Sequence, residues 1–449
     1  FLLTAEQKAF DLDHRKKIKF NISKYDAAVS KGLNLYMNLE LAKKRAAVLK
    51  NRVINNIETL LSEFETNLSN NGGKVIWAEN AEQAINQILN IIHTHSGTSV
   101  VKSKSMITEE IELNHALEAN NIEVLETDLG EYIVQVAHEK PYHIVTPCMH
   151  KSKEDIAELF HEKFGTPPSS TPEQLTAYVR EKLRKKFVQA DIGITGANFL
   201  IADIGGVALT ENEGNALLTM TFPKVHIAIA GFEKLIPSIK DLHTFWPLLS
   251  THGTGQNVTV YNSIITGPRK KDELDGPQYM YVVILDNGRS NLLAQKEQRR
   301  ALSCIKCGAC LNACPVYKNI GGHTYKTTYT GPIGAVITPF LSDTNTFKHL
   351  SYASSLCGKC TDVCPVKIPL HKLLLYNRRD FVKNNLPPTM EKMSMAVVKK
   401  VLINRGLMDF FSPTMKNIGM KIIGNKLWGP RRTAPVFAKK SFNALSKKK

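Results

Sequence analysis

The sequence predicts an α/β domain with a largely parallel sheet, preceded by a helical segment and followed by a small cysteine-rich domain. Three observations predict this order. Apolar residues recur every three or four positions before residue 74, which is typical of amphipathic helices. Strand and helix patterns then alternate up to residue 293, which indicates a layered α/β domain. Seven of the eight cysteines lie in two tight groups beyond that point.

A length of 449 residues favours two to four domains. We expect a helical region at 1–73, an α/β domain at 74–293, a cluster-binding domain at 294–375 and a basic helical region at 376–449. In the first region the helical pattern is clearest between Leu35 and Leu68, where lysine and glutamate separate the apolar positions. The glycine pair at 72–73 ends it.

The α/β region begins with strands and helices in alternation. The predicted strands here are KVIWA, TSVVK, IEVLETD and YHIVTP. The predicted helices are AENAEQAINQILNIIH, SMITEEIELNHALEAN, Lys151–Phe160 and Pro172–Phe187. Beyond Ala190 the strand patterns become denser, and we expect antiparallel additions to the sheet. These later strands are ANFLIADIGGVALTE, ALLTMTF, KVHIAIAG, NVTVYNSIITG and QYMYVVILD.

The spacing of the cysteines predicts two iron–sulfur cluster sites, one of them short of a ligand, in a helical, ferredoxin-like dicluster domain. The first group has the spacing C-x2-C-x2-C-x3-C-P, in which the fourth cysteine ligates the other cluster. Crossed ligation assigns one cluster to Cys304, Cys307, Cys310 and Cys364. It assigns the second cluster to Cys314, Cys357 and Cys360. A complete second motif would have a cysteine at 354, but the chain has Ser354 there, so the fourth ligand of the second cluster is unassigned.

Other uses of these cysteines fit the pattern less well. Zinc sites use C-x2-C pairs, but two zinc sites would need an eighth donor and have no need of the interleaved motif. Disulfides require an oxidising compartment. The eighth cysteine, Cys148, is isolated in HIVTPCMHK, and we expect it to be a small buried apolar residue. Thiolate-bound clusters are sensitive to oxidants, so the sequence predicts a cytoplasmic protein.

The positive charge is concentrated at the C-terminal end. From residue 391 to 449 there are 14 Lys or Arg and two acidic residues, a charge of +12 out of the formal +17 of the chain. Apolar residues recur among these lysines from Met390 to Trp428, as expected for amphipathic helices. Such a region could be a solvated face, or it could bind an acidic partner or an anionic membrane surface. No nucleic-acid-binding motif accompanies it, so we expect no nucleic acid partner.

Two polar segments at predicted strand ends suggest a ligand cleft. Small and polar residues are dense from Gly193 to Asn215, and Glu211 and Glu213 could be a base and its partner or the polar tip of a hairpin. A pair of lysines at a strand-to-helix junction could form an anion pocket or lie in solvent beside a helix N-cap. We expect one cleft to be lined by Lys102, Lys104, Asn198, Asp203, Glu211 and Asn215. No GxGxxG, P-loop or flavin motif is present in the sequence.

Several segments together resemble a known family. They are KSKSMITEE, GITGANFLIADIGG, TENEGNALLT, IKCGACLNACPVYKNIGGHTY, YTGPIGAVITPFL and ASSLCGKCTDVCPVKIPLH. The chain resembles the family of lactate utilization protein B, the iron–sulfur subunits of a bacterial lactate-utilisation system. The resemblance implies an α/β LUD domain, similar in fold to ribose-5-phosphate isomerase and CoA-transferases. It also implies two 4Fe–4S clusters on the same seven cysteines, so that Ser354 is no departure from the family.

The resemblance implies a three-subunit complex that oxidises L-lactate to pyruvate. The other subunits would be a cysteine-rich protein and a smaller LUD protein. The resemblance leaves open which subunit binds lactate and what accepts the electrons. We therefore expect an electron-transfer subunit, because a two-electron oxidation must be split into one-electron steps before clusters carry it.

Two alternatives remain from the sequence. A three-cysteine cluster with an open corner could itself bind a 2-hydroxy acid as a Lewis acid. The α/β domain could instead sense a metabolite while the clusters report the redox state. Whether the chain alone is an enzyme stays open. An electron acceptor in the membrane would place the protein at the inner face of the membrane as a peripheral component.

Overall fold

The computed structural model describes residues 1–387, 389–424, 433, 435–440 and 442–446. The chain forms two compact units, Phe1–Asp380 and Phe381–Lys449. The predicted C-terminal helices begin as expected near Met390, but their predicted end at Trp428 lies outside the described residues. No helix in the described part of the chain is both long and apolar enough to cross a membrane.

The first unit begins with four helices that precede the α/β domain, as the apolar spacing predicts. They are α1 Leu2–Phe10, α2 Leu12–Leu33, α3 Leu39–Asn55 and α4 Ile57–Asn70. The α/β domain contains helices α5 Ala81–Thr94, α6 Met106–Glu110, α7 Leu113–Ala119, α8 Leu129–Val136, α9 Lys153–Phe164, α10 Pro172–Gln189, α11 Asn215–Thr221, α12 Leu242–Thr254 and α13 Arg289–Leu293. The cysteine-rich segment contains α14 Ala309–Ala313, α15 Tyr317–Ile320, α16 Gly331–Leu341, α17 Thr344–Phe347, α18 Lys359–Asp362 and α19 Leu370–Lys383.

Ten strands form two sheets in this unit. They are β1 Lys74–Ala78, β2 Ser99–Lys102, β3 Glu123–Glu126, β4 Ile192–Thr195, β5 Phe199–Ile201, β6 Gly206–Glu211, β7 Val225–Gly231, β8 Leu235–Ile236, β9 Tyr261–Ile265 and β10 Tyr279–Leu285. Six of them form an entirely parallel sheet in the order β1-β10-β7-β4-β2-β3. All residues of β4 and β7 are buried, as expected for central parallel strands covered on both faces.

The strand order of the parallel sheet reverses between β2 and β4. From β2 the chain moves outward to β3, returns to β4 on the other side of β2, and continues through β7 to β10. At such a reversal the loops after the two neighbouring strands diverge and leave a crevice at their carboxyl ends. The crevice of this sheet is therefore expected beyond Lys102 and Thr195.

The remaining four strands form a small mixed sheet in the order β8-β5-β6-β9. The pairs β5–β6 and β6–β9 are antiparallel, and β5–β8 is parallel. Antiparallel pairing is thus confined to this second sheet, whereas β7 and β10, which we also expected as antiparallel additions, belong to the parallel sheet.

Two of the strands predicted from the sequence are wrong. The segment ALLTMTF is helix α11, because the carboxylate of Glu211 accepts hydrogen bonds from the N–H groups of Ala216 and Leu217 (both 2.8 Å) and caps the first turn. The segment YHIVTP is a compact loop, closed by a hydrogen bond from the Tyr142 N–H to the Pro147 carbonyl (2.8 Å). The ring of His143 accepts two further loop N–H groups, which takes them away from any sheet.

One hydrophobic core joins the N-terminal helices, the mixed sheet and the cysteine-rich segment. Ile18 and Phe64 from the helices, Phe199 from β5, and Leu311 and Tyr317 from the cysteine-rich segment are all fully buried in it. The cysteine groups are therefore held against the α/β domain by packing.

The second unit contains short helices with basic and apolar side chains. Its described helices after residue 387 are α20 Thr389–Ile403, α21 Arg405–Phe410, α22 Pro413–Gly419 and α23 Phe442–Ser446, with a π-helical turn at Met420–Gly424. None of the residues of α20, α21 or α22 is buried.

Candidate iron–sulfur centre and adjoining cleft

The two cysteine groups have the same backbone conformation, 50 positions apart. Lys306 and Leu356, which precede a cysteine in each group, both have a left-handed φ, of 59° and 54°. Gly308 and Gly358, which follow those cysteines, have φ of 78° and 83°. The short helices α14 and α18, which carry the next cysteine of each group, begin immediately after these glycines. The chain thus makes the same pair of turns in both groups. The left-handed φ of the residue after the cysteine favours glycine there, as in Gly308 and Gly358.

Ser354 occupies the position in the second group that Cys304 occupies in the first. The N–H of Lys306 donates to the sulfur of Cys304 (3.3 Å), and the N–H of Leu356 donates to the Oγ of Ser354 (3.1 Å). The serine is therefore built into the repeated turn at the place of the eighth cysteine. It is a hydroxyl at a ligand position, and the second group offers three sulfurs.

The structure brings the seven cysteines together in two sets. Burial raises the pKa of Cys310, and the nearby Cys304, Cys307 and Cys364 raise it further. Burial likewise raises the pKa of Cys360 to about 11, with smaller contributions from Cys314 and Cys357. These neighbours are the two sets that crossed ligation of the motifs predicts.

The first set fits a 4Fe–4S group. Its four cysteines line one small cavity with Ile305 and Val366. In the described chain, the groups of three ligand atoms within 4.8 Å of one another contain no cysteine. Four sulfurs on a single zinc ion would lie about 3.8 Å apart, given a Zn–S distance of about 2.3 Å. In any three of these cysteines, at least one pair of sulfurs is therefore more than 4.8 Å apart. That separation is wider than in a zinc site and suits a larger inorganic core.

The electrostatic surroundings of the first set are positive. Lys50 is fully buried, and its Nζ donates to the carbonyls of Glu233 (2.5 Å) and Leu235 (3.1 Å). Burial lowers the pKa of Lys50 to about 7, and the charge of Glu233, with a smaller contribution from Cys304, opposes that shift. Burial also lowers the pKa of Lys234 to about 8, and the charge of Glu233, with a smaller contribution from Cys304, opposes the shift. Cations near the sulfurs favour the negatively charged state of a reduced cluster.

The second set lies nearer to solvent. Cys357 is exposed, whereas Cys314 and Cys360 are buried. A cluster held there would have one corner close to the protein surface, beside Ser354.

A cleft with an inner cavity adjoins the first cysteine set. The inner cavity has a volume of about 130 Å³ and the outer cleft about 410 Å³, and both are lined by Lys104, Asn198 and Lys306. Cys307 also lines the outer cleft. The cavity lies beyond the carboxyl ends of β2 and β4, where the order of the parallel strands reverses.

Four of the six residues predicted for a cleft line it: Lys104, Asn198, Glu211 and Asn215. The ammonium of Lys104 pairs with Asp128 (2.9 Å) and donates to the Val145 carbonyl (3.1 Å). The Oδ1 of Asn198 accepts the N–H of Thr210 (2.9 Å).

Glu211 and Asn215 lie together at the wall of the outer cleft. The amide of Asn215 donates to the Glu211 carboxylate and accepts from the Thr127 hydroxyl (3.2 Å). Burial raises the pKa of Glu211, and the hydrogen bonds that its carboxylate accepts from the N–H groups of Ala216 and Leu217 oppose that shift. Both oxygens of this carboxylate cap α11, so Glu211 has a structural role, and its hydrogen bonds do not support the role of a catalytic base.

The other two predicted residues lie elsewhere. Lys102 is fully buried under the sheet edge, where its ammonium contacts Glu126 (2.6 Å), Glu109 (3.3 Å) and the Thr108 hydroxyl (2.9 Å). Asp203 is exposed, and its Oδ1 accepts the N–H of Ile239 (3.1 Å) at the turn after β5. The inclusion of both in the cleft is corrected accordingly. The groups that these two side chains bind, which sequence spacing does not reveal, hold both side chains away from the cleft.

Comparison with known proteins assigns the domains. The LUD domain family model matches residues 61–285, and the 4Fe-4S dicluster domain model matches residues 300–368. The chain is 46% identical to lactate utilization protein B of Bacillus licheniformis over 80% of this chain and 75% of that protein. It is 43% identical to the protein of the same name from Bacillus velezensis over 89% of this chain and 81% of that protein.

The chain belongs to the lactate utilization protein B family. It has the LUD domain and the 4Fe-4S dicluster domain that these two models describe. Among solved structures, a DUF162 family protein from Deinococcus radiodurans matches 51% of this chain and 98% of its own, with a TM-score of 0.30 and 12% identity.

Within this family member the cleft lies where the two domains meet. Lys104 and Asn198 belong to the LUD domain, and Lys306 and Cys307 belong to the 4Fe-4S domain. Sequence reasoning missed Lys306, although its position inside the cysteine motif was a usable signal. It also missed Lys234, which follows strand β7 and so satisfies the rule that ligands bind at strand ends.

Proposed function

We propose that this chain is the electron-transfer subunit of a complex that oxidises L-lactate to pyruvate. The observation that carries the proposal is the grouping of seven cysteines into two adjacent sets, each assembled from both motifs. Oxidation of one L-lactate to pyruvate releases two electrons and two protons. Two 4Fe–4S clusters, when bound, supply one-electron transfer at each site, so a pair of them matches the electron count.

The residues of the chain prepare both sites for this role. Cys304, Cys307, Cys310 and Cys364 would hold the first cluster, and the buried lysines beside it would stabilise its reduced state. The raised pKa values of the buried thiols mean that iron must displace their protons on binding, so cluster assembly releases protons.

In the second site Cys314, Cys357 and Cys360 would supply three sulfurs. The exposed position of Cys357 makes this site the natural exit for electrons.

A second candidate function rests on the same exposed corner. With three sulfurs and a serine, the second site could bind the hydroxyl and carboxylate of a 2-hydroxy acid directly. A third, metabolite sensing, would use the LUD cleft without net turnover.

Anaerobic iron analysis together with electron paramagnetic resonance distinguishes these functions. For a relay, we expect about eight iron atoms per chain, a dithionite-reduced spectrum of two interacting clusters, and no reduction by L-lactate until the partner subunits are added. Reduction of the isolated chain by L-lactate would indicate the catalytic alternative. Failure of L-lactate to reduce the clusters in the reconstituted complex would contradict electron transfer and favour a sensor.

The partners in this proposal are the cysteine-rich subunit and the smaller LUD subunit.

The proposal also places the complex at the inner face of the membrane, because the second unit combines basic residues with exposed apolar side chains. Met390, Met393 and Ile403 of α20 are each more than 60% exposed. Such side chains, with lysines between them, are typical of helices that lie on anionic bilayers.

Membrane contact predicts co-sedimentation with anionic vesicles. The full chain should sediment with vesicles containing phosphatidylglycerol at low salt and be released by salt, because the attraction depends on unscreened charge. Truncation after Leu386, beyond the end of α19, should abolish sedimentation, and neutral phosphatidylcholine vesicles are the control. Absence of sedimentation at low salt in the presence of the partner subunits would contradict the membrane contact.

A further inference from the structure

We infer that the inner cavity binds the carboxylate of a small 2-hydroxy acid, with Lys234 and Lys306 as its anion-binding groups. The inference rests on the proposed function for the identity of the substrate. It goes beyond that proposal because it assigns substrate binding to this chain, at a position beside the first cysteine set.

The position of the cavity is the first argument. Its lining includes Lys104 and Ser105, which follow β2, and Gly196 to Asn198, which follow β4. The order of the parallel strands reverses between these two strands. Open α/β sheets bind ligands in the crevice at that point. Lys306 and Tyr329 of the 4Fe-4S domain also line this cavity.

The charges around the cavity are the second argument. Arg289 is neutralised there by Glu110 and Glu233, and Lys104 by Asp128. In the described chain no carboxylate oxygen lies within 4.0 Å of the ammonium of Lys234 or Lys306. Burying a cation without a partner is unfavourable. Glu233 also acts on both lysines at longer range. The four cations Lys104, Lys234, Arg289 and Lys306 face three carboxylates, those of Asp128, Glu110 and Glu233, so the cavity has one positive charge left for a monovalent anion.

The ammonium of Lys306 has one aromatic contact that leaves its anion-binding capacity available. It lies 3.8 Å from the centre of the Tyr329 ring. A cation over a ring face keeps its hydrogen-bond donors for other acceptors. Lys306 lies between Cys304 and Cys307 in the chain and has a left-handed φ of 59°.

The size and polarity of the cavity are the third argument. A volume of about 130 Å³ suits a small metabolite of about six non-hydrogen atoms. Met106, Ile107 and Ile229 provide an apolar wall for a methyl group. Asn198 provides an amide whose Nδ2 has no acceptor among the described residues, while its Oδ1 is used by the backbone.

Two glycines allow the walls of this cavity to pack closely against each other. A side chain at Gly231 would collide with the Glu233 carboxylate (2.0 Å) and the Arg289 guanidinium (2.3 Å). A side chain at Gly196 would meet the Ser105 hydroxyl (2.7 Å). The walls of the cavity are therefore defined on two sides by fixed groups.

A competing explanation is that the lysines serve only the negative charge of the cluster. The N–H of Lys306 donates to the sulfur of Cys304, and the charge of the same cysteine acts on Lys234. Under that explanation, loss of either lysine would lower the reduction potential of the first cluster but leave ligand binding unchanged. Under the inference, both quantities change, so they must be measured together.

The test uses the anaerobically purified, cluster-loaded chain with L-lactate and pyruvate as probes. Isothermal titration should show binding of both anions to the unaltered chain. Lys234→Gln and Lys306→Gln should each weaken it by at least tenfold, because a charge-assisted hydrogen bond to the carboxylate is lost. Lys240→Gln is the matched control, since Lys240 is exposed on the same domain and far along the chain from the cysteines. Iron content and circular dichroism verify that each variant is folded and loaded.

Three outcomes overturn the inference. They are absence of binding to the unaltered chain, equal affinity in the lysine variants and the control, and a change in reduction potential alone. If the complex still oxidises L-lactate in those cases, the proposed electron transfer stands and the substrate site lies in another subunit. If the chain binds L-lactate through these lysines but the complex passes no electrons, the inference stands and the proposed function fails.

Discussion

Replacing Cys307 by alanine should remove about half of the iron of the loaded chain, whereas replacing Cys148 should remove none. Cys307 is buried between Cys304 and Cys364, and burial raises its pKa well above that of a free thiol. Alanine there removes one of four sulfurs from a closed site. A 4Fe–4S cluster held by three sulfurs in a site built for four is expected to be lost, with about four iron atoms.

Cys148 is the matched control because it is the one cysteine outside both motifs. It packs beside the core formed by α8, α9 and α10, and the charges near its sulfur are those of Asp128, Lys104 and Lys151. Burial raises its pKa to about 11, which makes it an unreactive thiol. Iron and acid-labile sulfide are measured per chain after anaerobic reconstitution. Equal iron loss from Cys148→Ala would identify it as the missing eighth ligand and contradict the assignment.

The cysteine sets and the fold class were predictable because they depend on local sequence. Two- and three-residue spacings leave few ways to arrange the sulfurs, and the alternation of strands and helices is a property of neighbouring residues. The helix α11 was mistaken for a strand because its capping carboxylate, Glu211, belongs to the preceding strand. A seven-residue apolar segment has no period of its own long enough to decide between the two.

The cleft was only partly predictable because partners decide which polar residues are available. Lys102 and Lys104 are two positions apart on the same strand end, yet the first is enclosed by Glu126 and Glu109 and the second reaches the cleft. The partners of Lys102 come from other elements of the fold. Lys234 and Lys306, which form no ion pair within 4.0 Å in the described chain, come from different domains, so only the folded chain shows that they share a cavity.

Replacing Arg289 by methionine should destabilise the folded chain more than any surface substitution. The guanidinium is fully buried and makes two hydrogen bonds to Glu110 (2.7 and 2.8 Å) and one to Glu233 (2.8 Å). Tyr329 of the 4Fe-4S domain also donates to Glu110 (2.6 Å). The substitution leaves two buried carboxylates without their cation, and breaking a buried ion pair in this way costs about 3–5 kcal/mol of unfolding free energy.

The pH dependence of this loss separates charge from packing. Burial is the largest single influence on the pKa of Glu110 and Glu233 and raises both. Arg289 opposes it most strongly, and together with the hydrogen bonds to Glu110 and the charges of Lys306 and Lys234 near Glu233 it lowers both pKa values. A lowered pKa contributes stability that is present above the ordinary range of a carboxyl group and is lost as the pH falls. Without Arg289 burial dominates, both pKa values rise, and the carboxylates become easier to protonate. The difference in stability between the two proteins should therefore be largest near neutral pH and shrink toward pH 5.

Anaerobic urea denaturation at pH 7.5 and pH 5.5 measures both effects. Lys186→Met is the control, because Lys186 forms an exposed ion pair with Glu123 (2.6 Å) whose removal should cost less than about 1 kcal/mol. A loss for Arg289→Met no larger than for the control would contradict the role of the buried ion pairs. A loss that is large but independent of pH would assign the effect to packing around the longer arginine side chain. The expected result, a large loss that shrinks in acid, would show that Arg289 holds Glu110 and Glu233 in their charged forms where the LUD and 4Fe-4S domains meet.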